Sequence, residues 1–127
     1  MPAPHPVTFR VPVGDSRLVR VPQPCDERDG SPVDPGSYQE LRVGFAPATE
    51  FEPYEPAGPA TLTKTLGDGG IEYDPATKEL RVAILPQDTR SLGVGRFVLH
   101  FRFERGLAVQ HSVAPFHVLE VTASGLV

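Results

Sequence analysis

Arg96-Phe97-Val98-Leu99-His100-Phe101-Arg102-Phe103-Glu104 is the stretch that decides the fold. Phe97, Leu99, Phe101 and Phe103 alternate with Val98, His100, Arg102 and Glu104. A period of two puts one apolar face and one largely polar face on an extended chain, the pattern of a half-buried antiparallel strand. Helical spacing would scatter the three phenylalanines around the axis.

Moving back along the chain, Leu80, Val82 and Ile84 alternate with Glu79, Arg81 and Ala83. They are preceded by Tyr73-Asp74-Pro75-Ala76-Thr77-Lys78, in which the aspartate can cap a turn and the proline fixes φ. Ile71 and Tyr73 are therefore expected on a partner strand, in a hairpin with Leu80 to Leu85. Pro86-Gln87-Asp88-Thr89-Arg90-Ser91-Leu92, followed by Gly93, suits one short helical turn that carries the chain across the end of a sandwich.

Moving forward, Arg105-Gly106 reads as a tight turn. The chain returns through Val109, His111 and Val113, breaks at Pro115 and resumes over Phe116 to Val121. In the first half, Val7, Phe9, Val11 and Val13 form one alternating set, with Pro12 pointing to an edge strand. Leu18 to Val21, the set Leu41, Val43 and Phe45, and Thr61 to Leu66 are further strands, and Arg28-Asp29-Gly30-Ser31 is a turn. Residues 46–60 hold Pro47, Pro53, Pro56 and Pro59 among Glu50, Glu52 and Glu55, and are expected to form a long exposed loop that neither pairs nor packs continuously. Seven or eight short strands with regular turn signals imply an all-β, immunoglobulin-like antiparallel β-sandwich with a long proline-rich loop.

Composition agrees. A chain of 127 residues with 39% hydrophobic and 22% charged content can bury one core, and residues 1–127 are read as a single domain. Fifteen prolines and twelve glycines are spread along the chain, which favours short strands over long helices. The segments 1–6 and 123–127 are expected to be extended arms. A net charge of −4 argues against a nucleic-acid partner, and no apolar run is long enough for a membrane. The first residues lack a signal peptide's apolar region, so synthesis in the cytoplasm is expected. The single cysteine, Cys25, excludes an internal disulfide.

Chemistry is sparse. His100, His111 and His117 could meet as a zinc site, but no pair has a recognised ligand spacing, so solvated or hydrogen-bonded histidines are expected. Cys25 lies beside Asp26 and Glu27, which oppose thiolate formation and so a nucleophilic role. Gly67-Asp68-Gly69-Gly70 lacks the lysine and hydroxyl residue of a phosphate loop and leads into a strand, which leaves a turn. Outward-facing Arg42, Arg81 and Arg102, with Glu40, Glu79 and Glu104 at matching offsets, suggest cross-strand ion pairs on one sheet. No enzyme activity and no cofactor are expected. The candidate interaction residues are those of the proline-rich loop: Glu50, Phe51, Glu52, Tyr54 and Glu55.

The order of these features resembles a known group. Gly14-Asp15-Ser16 is followed by Asp29-Gly30-Ser31-Pro32-Val33-Asp34, a strand over Glu40 to Phe45, and a variable loop. Then come Gly70-Ile71-Glu72-Tyr73-Asp74, Glu79-Leu80-Arg81-Val82-Ala83-Ile84, Pro86-Gln87-Asp88-Thr89, Leu92-Gly93 and Gly95-Arg96-Phe97. Over residues 10 to 121 this is similar to the small immunoglobulin-like domains of tailed-bacteriophage structural proteins, including the amino-terminal domain of baseplate upper proteins. Phe97 stands where those domains usually carry tyrosine. The resemblance implies a virion structural role in the tail, baseplate, neck or capsid surface. The partners it implies are other virion structural proteins and further copies of the chain. No catalytic residues carry over. The alternative is a carbohydrate- or ligand-binding β-sandwich, although tryptophan is absent and only Tyr38, Tyr54 and Tyr73 could offer tyrosine rings to a sugar.

Overall fold

The computed structural model describes residues 6–26, 31–34, 38, 40–105, 109–114 and 116–123, with the backbone alone at 26, 105 and 109–114. Most of both expected terminal arms, the turn residues Arg28 to Gly30, Gly106 and Pro115 lie outside the described residues.

Two sheets face each other. The larger follows the order β1 (Thr8–Pro12), β10 (His117–Thr122), β8 (Gly95–Arg105), β4 (Glu40–Pro47), β5 (Leu62–Thr65). Beyond β10, the far half of β8 pairs with β9 (Val109–Ala114), which in turn pairs with the two-residue β3 (Cys25–Asp26). The smaller sheet runs β2 (Arg17–Val21), β7 (Glu79–Ile84), β6 (Ile71–Asp74). The helix α1 (Pro86–Leu92) joins β7 to β8. This is an all-β sandwich, with ten strands among the described residues where seven or eight were expected, the additional ones including the two-residue β3.

The opening stretch behaves as its period demands. Phe97, Leu99, Phe101 and Phe103 are all buried, with Leu41, Val43 and Phe45 from β4 beside them. Val19, Val21, Leu80, Val82, Ile84 and Ile71 face them from the smaller sheet. The two inner faces thus interdigitate into one core, and each fully buried large side chain contributes roughly 2–3 kcal/mol.

Several features go beyond the sequence reading. β1 pairs with β10 in parallel, so the edge strand marked by Pro12 joins an otherwise antiparallel sheet. The expected last two strand segments both pair with β8 but out of register. Phe103 faces His111 and Leu99 faces His117, so the returning chain holds two extra residues across that interval. Arg81 lies in the smaller sheet, away from Arg42 and Arg102, so the three arginines do not form one row. Arg42 does pair with Glu104, at 3.7 Å, while Arg81 binds Asp74 at 2.9 Å within its own hairpin.

α1 is longer than one turn and is pinned from three sides. Its Asp88 carboxylate accepts the Leu85 N–H at 2.8 Å and meets the Lys64 ammonium at 2.7 Å, in a pair almost closed to solvent. The buried Thr89 hydroxyl accepts the Gly14 N–H at 2.9 Å, which ties the β1–β2 turn to the helix. Gly70 is required beside this pair, because a Cβ there would lie 2.9 Å from the Cβ of Lys64. The segment Gly67 to Gly70 is a turn, as expected. Backbone N–H donation from Gly70 holds the Asp68 carboxyl below the usual range.

Candidate interaction surface

The proline-rich segment is where the structure departs most usefully from expectation. β4 continues through Pro47, so the connection begins later than residue 46. It then folds on itself. Ala48 and Pro56 bridge, Thr49 N–H donates to the Glu55 carbonyl at 2.9 Å, and Glu55 N–H donates to the Thr49 hydroxyl at 3.0 Å. Ala48 N–H reaches the Arg96 carbonyl at 3.1 Å and Ala57 N–H the Pro47 carbonyl at 2.7 Å, anchoring the base to the sheet. Prolines are tolerated here because none of these bonds needs a donor from Pro47, Pro53, Pro56 or Pro59.

The connection also packs on the outer face of the larger sheet. Ala46 and Val98 point outward by strand alternation yet are buried. Ala60 sits against Gly44, where a Cβ would lie 3.0 Å from the alanine methyl. Thr61 returns to the Phe45 carbonyl through both its N–H, at 2.9 Å, and its hydroxyl, at 3.1 Å. The result is an anchored arm.

Its five candidate residues divide by role. Tyr54 is half-buried, with the Arg96 guanidinium 5.2 Å over its ring, a cation–π contact that fixes the arm to β8. Arg96 in turn lies 3.4 Å from Glu120, and Arg10 lies 3.6 Å from the same carboxylate, giving a charged row across β8, β10 and β1. Phe51 is at the tip and 76% exposed. Glu50 and Glu52 flank it, and Glu55 is exposed on the returning limb. Beside the arm is an open groove of about 540 Å³, with Thr49, Glu50, Val94, Arg96 and Glu120 among its walls. An exposed aromatic on an anchored support could meet a partner with little ordering left to do.

Among the described residues the other candidates are not assembled into a site. His117 is buried on β10, its Nδ1 accepting the Val7 N–H at 3.0 Å, and burial pushes its pKa down to about 4. His100 packs edge-on against Phe116, and the His111 side chain lies outside the described residues. Among the described residues no group of three potential ligands forms a metal site. Cys25 is half-exposed on β3. Tyr38 packs on Phe103, and the Tyr73 hydroxyl donates to Asp34 at 2.7 Å.

A scan against protein-family models and a search of curated proteins find no match to this sequence.

The buried Lys64–Asp88 pair escaped sequence reasoning, because the two residues lie on unrelated segments and neither has a local signature. The acid three residues into a proline-started helix was the one available hint, since such a carboxylate can reach back to the chain entering the helix. Leu18 of β2 and Leu85, the residue that enters α1, are both exposed, and nothing in their local pattern marks either as more than an ordinary strand residue.

Proposed function

We propose that this protein is a structural subunit of a tailed-bacteriophage virion, an adaptor or decoration subunit in the tail, baseplate, neck or capsid surface that works by protein–protein assembly. The observation that carries the assembly part is the anchored arm with Phe51 at its tip, an apolar contact held out from a well-packed sandwich. The order of motifs resembling phage immunoglobulin-like domains supports the virion part. The sheets also end in edge strands, β5 and β6 among them, of the kind that accept a neighbouring strand.

The carbohydrate-binding alternative has less support. Each tyrosine ring is already engaged, by Arg96, Phe103 or the Asp34–Lys78 corner. The deciding experiment is mass spectrometry and electron microscopy of purified native particles. The chain is expected in them at a fixed stoichiometry. Its absence from particles, together with retention on a glycan column, would overturn the proposal in favour of the alternative.

A further inference from the structure

A second apolar feature lies on the opposite face of the sandwich. On the outer side of the smaller sheet, Leu18 of β2 faces Ala83 of β7. With Ser16, Arg17, Ile84 and Leu85 they line a depression of about 270 Å³. Leu18 is 50% exposed on the outward face of β2, while Val19 beside it turns into the core. Cations surround the depression. Arg20 is exposed in the next row and Arg90 projects from α1 toward the Gly14 turn, while Arg17 lines the wall with its guanidinium turned to the Arg10 carbonyl and the Phe9 ring. Arg20 and Arg90 have no ion pair among the described residues; Asp15 lies on the connecting turn, and Arg20 is in register with Arg81, which binds Asp74 and faces Glu72.

The arm is the chemical complement. Residues 48–60 hold three glutamates, one exposed phenylalanine and no basic residue. Arm and depression also lie at the same end of the sandwich. β7 ends at Ile84 opposite Arg17, β4 ends at Pro47 opposite Phe97, and only α1 separates Ile84 from Gly95. One arm cannot fill its own chain's depression, because the arm is anchored on the outer face of the other sheet. A second molecule can supply it, and two molecules meeting end to end can each supply it to the other.

We infer that the occupant of the Leu18–Leu85 depression is the Phe51 arm of a second copy of this chain, exchanged reciprocally across a two-fold axis. The inference rests on the assembly reading and names the partner. Phe51 fills the depression while Glu50 and Glu52 approach Arg20 and Arg90. A two-fold exchange makes the same contact twice and closes at a dimer. An aromatic anchor in an apolar seat ringed by complementary charge is the arrangement in which interface affinity concentrates.

Sedimentation velocity and light scattering over a concentration series test it, using the full chain and the variants Phe51→Ser and Leu18→Asp. Both residues are exposed, and unchanged thermal midpoints will confirm that each variant folds. The wild-type chain is expected to dimerise, and each variant to raise the dissociation constant at least about thirtyfold. An equimolar mixture of the two variants retains one intact arm-and-seat contact and is expected to form a heterodimer that neither forms alone. A wild-type monomer at all concentrations, a dimer indifferent to either substitution, or a mixture that stays monomeric would each overturn the inference. A monomer that is nonetheless found in purified particles defeats self-docking and leaves the structural role intact. An arm-dependent dimer absent from particles defeats the virion role and leaves the docking intact.

Discussion

Lowering the pH should loosen the parallel junction between β1 and β10, and His117 sets how much. The ring is 2% exposed and its Nδ1 accepts the Val7 N–H at 3.0 Å, so the neutral ring carries its proton on Nε2. Protonating Nδ1 would turn the acceptor into a donor facing another donor, inside the core edge beside Phe9. Burial accordingly lowers the folded-state pKa from 6.5 to about 4. Above 6.5 both folded and unfolded chains hold a neutral ring and the residue's contribution is intact. Between 6.5 and 4 the unfolded chain binds a proton that the folded chain refuses, so stability falls by about 1.4 kcal/mol per pH unit and by about 3 kcal/mol in all. Urea denaturation of the wild type and His117→Asn at pH 7.5 and pH 5 isolates this effect. Asparagine can still accept the Val7 N–H but does not titrate, and the carboxylates and other histidines cancel in the comparison. The wild type should lose about 2 kcal/mol more than the variant over that interval. Equal losses, or an NMR titration of the His117 ring centred near 6.5, would refute the reasoning.

The buried ion pair should show strong coupling. Lys64→Met leaves the Asp88 carboxylate without its cation and should cost about 3 kcal/mol by chemical denaturation, whereas Lys64→Met with Asp88→Leu should cost less than the sum of the two single changes. Gly44→Val drives a side chain into Ala60 and should destabilise by about 1–3 kcal/mol, with amide exchange of Thr61 and Ala57 accelerated as the arm lifts. Tyr54→Ala removes the ring under Arg96 and should lower stability by only about 1 kcal/mol while raising the cleavage rate by limited proteolysis within residues 48–57. Phe103→Ala opens a cavity in the centre of the core and should cost about 3–5 kcal/mol in a denaturant titration.

Much of the architecture was legible in local pattern. The alternation from Phe97 to Phe103 named its own inward face, and the Asp74-Pro75 turn located the β6–β7 hairpin because turn chemistry and strand period are properties of adjacent residues. The candidate arm was legible as a segment, through its prolines and glutamates, but its character was not. Expecting prolines to prevent pairing overlooked that a bridge at Ala48 and Pro56 and the Thr49 hydroxyl need no proline donor. Nor does a charged residue in sequence declare that it will be buried. Lys64 and His117 look like surface residues until α1 and β1 close over them.

By itself, then, the sequence determined the layer type, the strands other than β3 (Cys25–Asp26), and the inward face of β8, since these follow from a period of two and from turn residues acting over a few positions. The tertiary structure alone decided the parallel pairing of β1, the slip between β9 and β10, the burial of Lys64 with Asp88, and the anchoring of the arm beside Arg96. All of these depend on which distant segments share a volume, and a linear pattern of apolar and polar residues carries no record of that.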